Sequence, residues 1–380
     1  MSLKGPALTR LRRTLRRHAK DGWVRAVFAT PGSDEGAAVH PGPDGGGPPS
    51  DAQLEALLVA AEQAAREGKV KQTLVLDDST RVRVDARFGK AKVQRLDEGR
   101  IAKVMGGKER ALRPDTSGEL LRVIGIMNAD GSISAKNAKK YKQVCHLVEL
   151  CRPAWERVAS QRTVDADHPL RVVDLGCGNS YLTFVVAEAL RLAEIPARLH
   201  GVDVRADVIE RSRERATALS MSNMSFAVAS IGDAVLDHDG PPDLVLALHA
   251  CDTATDEALA QAITAGAGEI FVAPCCQREL ASQLSASPVR AMLRQGLLKQ
   301  DYAATLTDAL RVELLEACGY IVDTVEFVAS AHTPKNLLIR AHRRHPGTPI
   351  DRQRWRLDRV SETCTALGVD PTALRLLRAA

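Results

Sequence analysis

Two groups of residues in this 380-residue chain have the types and spacing to do chemistry. The first is Val172-Val173-Asp174-Leu175-Gly176-Cys177-Gly178-Asn179-Ser180, a strand-forming run that ends in a Gly-x-Gly turn. Glycines there remove side chains where backbone must approach a ligand closely, between the carboxyl end of a strand and the start of a helix. A dinucleotide site would carry a third glycine at position 181, which is Tyr181. The second group is Leu248-His249-Ala250-Cys251-Asp252 together with Ala273-Pro274-Cys275-Cys276-Gln277. Imidazole titrates near neutral pH and suits a general base, and a thiolate is a strong nucleophile.

The elements that must hold these groups follow from the texture of the chain beyond residue 170. Apolar runs at 170–175, 198–204, 224–229, 243–248, 269–273, 320–328 and 335–341 read as strands. Helical stretches at 181–194, 206–219, 253–265 and 302–318 separate them. Strand alternating with helix predicts right-handed crossovers and a mainly parallel, doubly wound sheet of seven strands, an α/β (Rossmann-like) fold. Such sheets bind ligands in the crevice at the carboxyl ends of their strands. The second strand ends at Gly201-Val202-Asp203, 29 residues beyond Asp174, where a carboxylate can accept both hydroxyls of a ribose. The third ends at Ser230-Ile231-Gly232-Asp233, where an apolar side chain can cover an adenine face. A carboxylate just ahead of the glycines suits a cationic ammonium group. Ammonium, ribose and adenine together describe S-adenosylmethionine (SAM). The expected cofactor contacts are Asp174, Gly176, Cys177, Gly178, Asp203, Val204, Ser230, Ile231 and His249. As a simpler role, Asp203 and Asp233 can each cap the helix that follows.

With these residues in place, the chain resembles the class I SAM-dependent methyltransferases. More narrowly, it is similar to the methyltransferase-domain family shared by the eukaryotic tRNA 2′-O-methyltransferase of the acceptor stem and related methyltransferase-like proteins. The resemblance rests on Asp174–Ser180 and Asp203, on the Ala254-Thr255-Asp256 that follows His249 and Cys251, and on the Cys275–Cys276 pair after the fifth strand. It spans about residues 135–342, from Lys140-Tyr141-Lys142-Gln143 to Thr333-Pro334-Lys335-Asn336-Leu337. It implies a SAM-dependent methyltransferase whose substrate is RNA (tRNA or rRNA).

In that architecture the fourth strand tip faces the methyl group, which makes His249, Cys251, Asp252, Cys275 and Cys276 the candidate catalytic residues. Methylation of a hydroxyl would use His249 as general base. Carbon-5 methylation of a pyrimidine would use Cys251, Cys275 or Cys276 as nucleophile, with a second thiol beside it. Nitrogen methylation favours an Asp/Asn-Pro-Pro-aromatic tip, whereas Pro241-Pro242-Asp243 precedes the strand here. Zinc on His249, Cys251, Cys275 and Cys276 is disfavoured, because adjacent cysteines diverge and no paired Cys-x-x-Cys is present. No metal is expected. Cys177 and Cys318 read as structural, and Asp252 and Asp256 can cap the next helix.

Charge divides the chain. Residues 1–165 carry 30 Lys and Arg against 20 Asp and Glu, residues 166–340 carry 14 against 23, and residues 341–380 carry 8 against 4. Residues 1–30 read as a basic amphipathic helix, with Leu8, Leu11 and Leu15 on one face. Residues 31–50, with six Gly and five Pro, read as a linker or loop. A small basic α+β module is expected over 51–130, with strands Val70–Leu76 and Arg81–Phe88 and an apolar face formed by Val82 and Val84. A methyltransferase domain over 131–342 and a basic helical tail over 343–380 complete the chain. RNA phosphates are the partner expected for the basic module, helped by Lys136, Lys139, Lys140 and Lys142. The competing roles are methylation of a protein or small molecule, and a SAM-binding protein without catalysis. No apolar run reaches the roughly 18 residues of a membrane span, and eight scattered cysteines fit a reducing compartment, the cytoplasm.

Overall fold

The computed structural model describes residues 3–43, 47–76, 80–87, 90–96, 110–236, 240–248, 250–274, 276–284, 290–327, 336–345, 351 and 355–380. Two compact units divide at Lys142/Gln143. The division falls inside a helix, Ala135–Gln161, beyond the domain boundary expected at 130/131.

In the first unit, helix α1 (Pro6–Ala19), strands β1 (Arg25–Ala29) and β2 (Ala38–Pro41), helix α2 (Asp51–Arg66) and strands β3 (Lys71–Val75), β4 (Arg81–Asp85) and β5 (Lys92–Leu96) build one antiparallel sheet backed by two helices. Its strand order is β2-β1-β3-β4-β5. Alternation sorts the two faces of the sheet: Ala26, Phe28, Leu74, Val82 and Val84 are buried in one core with Leu8, Leu11, Leu15, Leu57 and Leu58. Ser50 and Gln53 close a capping box at the start of α2.

Two expectations for this region change. Residues 1–30 are not one helix, and residues 31–50 are not all linker, because β1 and β2 lie within them. Both strands are too short to show a period against the neighbouring helix and Gly/Pro pattern. α1 is not an unpartnered basic arm either. Its leucines are core, and Arg12 and Arg16 pair with Glu55 and Glu62 of α2. Helix α3 (Gly118–Val123) and the first turns of α4 (Ala135–Gln161) complete the unit. Of the polar turn expected at Asp77–Thr80, residues 77–79 lie outside the described residues, as do Arg100, Lys103 and Lys108.

The second unit is α/β. Strands β6 (Leu170–Leu175), β7 (Ala197–Asp203), β8 (Met224–Val228), β9 (Leu244–Ala247), β10 (Glu269–Val272), β11 (Tyr320–Glu326) and β12 (Leu337–Arg343) form a sheet in the order β11-β12-β10-β9-β6-β7-β8. The first five run parallel, and β12 is antiparallel to both β10 and β11. Strand order reverses between β6 and β9, which opens the crevice at their carboxyl ends. Helices α5 (Tyr181–Leu192), α6 (Ala206–Ala218), α7 (Thr253–Thr264), α8 (Glu279–Gln283), α9 (Arg290–Leu293) and α10 (Gly296–Ala317) connect the strands. The expected basic tail instead contributes helices α11 (Leu357–Leu367) and α12 (Thr372–Ala379). Their Val360, Cys364, Leu374 and Leu377 join the core of this unit. Arg356 and Arg359 are exposed at the start of α11, and Arg352 and Arg354 lie outside the described residues. Among the described residues no helix is long and apolar enough to cross a membrane.

Candidate functional site

The turn after β6 is held in a conformation that side chains resist. Gly176, Gly178 and Ser180 all have positive φ, at 70°, 55° and 54°. Backbone N–H groups of Gly176 and Cys177 donate to the carbonyl of Val202 on β7, at 2.9 and 3.0 Å. Gly178 donates to Asp203 Oδ2 at 2.9 Å. Asp203 Oδ1 accepts from the backbone N–H of Arg205 at 3.0 Å and from its guanidinium at 3.3 Å. The β6 and β7 tips are therefore stitched by one carboxylate. Oδ1 thus has two donors, whereas Oδ2 has one and retains a lone pair for another. Val204 beside it is exposed.

Asp174 is the most unusual group in the turn. It is 2% exposed. Its Oδ2 accepts a hydrogen bond from Thr183 of α5, and its Oδ1 is buried with no partner. Burial pushes its carboxyl up to about 7, the negative charge of Asp203 adds to the rise, and Thr183 opposes it. A buried carboxylate oxygen with an open valence is what a ligand ammonium would fill. Cys177 is also buried, and burial pushes its thiol up to about 12, so it packs and does not react. Gly201 on β7 makes that packing possible. A Cβ there would stand 2.8 Å from Phe226 and 3.1 Å from Cys177 Sγ. Gly201→Ala is expected to cost about 1–3 kcal/mol by overpacking and to lower Tm in a thermal melt, with SAM affinity reduced less than stability.

At the third tip, Ser230 Oγ donates to Asp233 Oδ2 at 2.6 Å and accepts from the Asp233 N–H at 3.2 Å, closing a local turn. Ile231 is 8% exposed and belongs to the core. Asp233 closes this turn, and among the described residues no helix starts after it before β9.

The fourth and fifth tips are sewn together. Asp252 sits at φ 55°. Its backbone N–H donates to the carbonyl of Cys276 at 2.9 Å, and its Oδ1 accepts from the N–H groups of Arg278 and Glu279 at 2.8 and 3.2 Å. Asp252 makes no side-chain cap to α7; it caps the start of α8 from across the crevice. Asp256 likewise pairs with Arg311, which is 1% exposed and was invisible as a site residue in the sequence. Cys251 is exposed and disulfide-bonded, so it offers no thiolate in this state. Cys276 is half-buried and retains its thiol. His249 and Cys275 lie outside the described residues. Among the described residues no cluster of three or more metal-binding side chains occurs.

With this geometry in view, residues 139–283 match a family model described as a methyltransferase domain. The match covers this segment and not the chain as a whole. It takes in the turn at Gly176–Gly178, Asp203 and both sewn strand tips. No curated protein matches the chain. Among solved structures, the chain is similar to magnesium protoporphyrin IX methyltransferase from Synechocystis PCC 6803 with bound S-adenosylhomocysteine, at 15% identity over 60% of this chain and 93% of that one, with a TM-score of 0.36. It is also similar to an rRNA methylase from Streptococcus thermophilus (13% identity, 48% and 90% covered, TM-score 0.32) and to the fibrillarin/Nop5p complex (13%, 46% and 72%, TM-score 0.34). The residues present fit S-adenosylmethionine: the open Oδ1 of Asp174 lies at the glycine turn, where a cation would satisfy it. SAM supplies an electrophilic methyl group. With SAM bound, Asp174, the glycine turn and Asp203 would hold and orient it.

Proposed function

We propose that this methyltransferase transfers its methyl group to RNA, in the cytoplasm. The observation that carries the reading is the first unit's sheet. One face is core, and the other carries Arg25, Lys71, Arg81 and Arg83, with net positive charge concentrated in residues 1–165. A polyanion is the natural ligand for such a face. The resemblance of the β9 and β10 tips to the family of the acceptor-stem tRNA 2′-O-methyltransferase supports the same substrate class.

Of the chemistries open to the fourth tip, the resemblance to the 2′-O-methyltransferase family favours proton abstraction. A ribose hydroxyl is then the acceptor and His249 the base, and the step needs no cysteine. The hydroxyl oxygen forms a bond to the methyl carbon, the methyl–sulfur bond breaks, and the hydroxyl proton passes to His249. Asp252 then serves as a positioning residue, holding the Cys276–Glu279 backbone through three hydrogen bonds. Asp203, whose Oδ2 keeps an open acceptor position, holds the cofactor's ribose.

The test is transfer of labelled methyl from SAM into undermodified total RNA, with protein and DNA fractions in parallel. Nuclease-sensitive label is expected, falling by more than about 100-fold in Asp174→Ala and steeply with added salt, since phosphate contacts release counterions. Label confined to protein would defeat the RNA reading. If label enters RNA at a base carbon, the thiol route displaces the His249 route.

A further inference from the structure

The first unit contains a cavity of about 1010 Å³ on the far side of its sheet from the α1/α2 core. Seven cationic side chains line it against two carboxylates, Asp34 and Asp85. The carboxylates near it are already engaged. Asp34 faces Lys71 at 3.5 Å, and Asp85 is paired with Arg87 at 2.7 Å. Asp130, 1% exposed behind the cavity, takes Arg83 at 2.6 Å and Lys71 at 3.4 Å, plus hydroxyls of Thr73 and Ser132.

Of the lining cations that leaves Lys92, Lys136, Arg81 and Arg122; Arg25, beside the cavity, joins the last two as a third guanidinium, and strand register brings it to Arg81. Arg25 of β1 and Arg81 of β4 both pair with Val75 of β3 and so stand in one row on one face. Among the described residues none of the three has a carboxylate within 4.0 Å. The Nε atoms of Arg25 and Arg81 are buried without a hydrogen-bond partner. Burial, and behind it the charges of Arg25, Arg83 and Arg122, hold Arg81 below its usual pKa against the pull of Asp130. The backbone is shaped for this crowding. Gly131 has φ 76°, and a Cβ there would stand 2.8 Å from the guanidinium of Arg81. Three partly buried guanidinium groups without counter-ions repel one another and are poorly solvated. An anion that accepts forked N–H pairs removes both penalties, and phosphate has that geometry.

We propose that Arg81 and Arg122, backed by Arg25, form a phosphate-binding site for a phosphate group of the RNA strand. The inference rests on the RNA reading above and assigns one of its contacts to named residues. A single phosphate source, a 5′-terminal monoester or an internal diester, occupies the site.

The test uses the full chain and fluorescein-labelled single-stranded 20-mer RNA with either a 5′-phosphate or a 5′-hydroxyl. Anisotropy titrations at several salt concentrations compare wild type with Arg81→Gln/Arg122→Gln. The double variant is expected to bind at least about 10-fold more weakly at 0.1 M salt, with a salt slope shallower by about 1–2. Its affinity for SAM by calorimetry should be unchanged, and its Tm without RNA unchanged or higher. The single variants, each expected to lose about 3-fold or more, keep the test open if the double variant folds poorly. A preference for 5′-phosphate RNA that vanishes in the variants identifies the monoester; equal loss on both RNAs identifies the diester. Wild-type RNA binding with unchanged affinity and slope in the variants overturns the site and leaves the RNA reading intact. No RNA binding by wild type overturns both.

Discussion

Asp174→Asn abolishes SAM binding and, in the same protein, raises the Tm of the cofactor-free chain above pH 7. The two effects have one cause. Asp174 is buried, with Oδ1 unpartnered, and its carboxyl sits near 7 in place of the ordinary 3.8. Ionising it in place costs on the order of 4 kcal/mol relative to the unfolded chain. The sign follows from proton binding. Between pH 3.8 and about 7 the folded chain retains a proton that the unfolded chain has lost, so stability falls as pH rises through that window. Above it the penalty is complete, and asparagine, neutral at every pH, escapes it. Wild-type Tm without SAM should therefore decline from pH 5 to 8 more than that of the variant. At about 2–4 °C per kcal/mol for a domain of this size, the gap at pH 8 should be several degrees. With SAM present the order reverses, because only the carboxylate offers the ammonium an ionic partner and only wild type gains stability by mass action. Differential scanning fluorimetry over pH, with and without SAM, reads both halves. A variant that keeps a SAM-induced shift within twofold of wild type's would remove Asp174 from the cofactor site.

The strand tips were legible because they obey local rules. A run such as Val172–Leu175 before two glycines, or Leu244–Ala247 before a helix rich in alanine, carries its strand and its turn in neighbouring residues. The five parallel strands accordingly fall within one or two residues of their expected limits. What was not legible depends on distant partners. Arg25–Ala29 looks like the end of a basic helix until Val27 and Phe28 are set beside Thr73 and Gln72 of β3. Leu8, Leu11 and Leu15 mark an apolar stripe, but nothing local says that α2 covers it or that Glu55 and Glu62 neutralise Arg12 and Arg16. Within the site, Asp252 carries the signature of a cap for the helix after it, yet its carboxylate serves α8, 26 residues on. Thr183 carries a weak signal, lying in the first turn of the helix that the glycine turn opens. Arg311 carries none, because a charged residue midway along a helix ordinarily faces water.

Arg311→Ala is the substitution expected to cost the most stability. The guanidinium makes a bidentate pair with Asp256, at 2.8 and 3.0 Å, and reaches Asp308 at 3.2 Å and the carbonyl of Asp252 at 3.0 Å. Asp308 also accepts from the side chain of Gln277 at 2.6 Å. One side chain on α10 thus ties α7 to the tips of β9 and β10. Removing it leaves Asp256, 1% exposed, without its cation. Burial already raises that carboxyl against the pull of Arg311, and without the arginine it must protonate to stay inside. Loss of one member of a buried ion network costs about 3–5 kcal/mol, which corresponds to roughly 10 °C or more in Tm. The deficit should widen from pH 5 to 8, since a carboxyl raised in the folded state favours folding only while it keeps its proton. Arg311→Met/Asp256→Leu separates stability from positioning. An apolar pair in that volume can recover much of the lost stability, but it cannot hold the Asp252 carbonyl. The double variant should therefore melt close to wild type, bind SAM normally and show a reduced kcat. Equal kcat in a well-folded double variant would reduce Arg311 to a packing element, and an Arg311→Ala chain within 1 kcal/mol of wild type would show that the network carries no stability of its own.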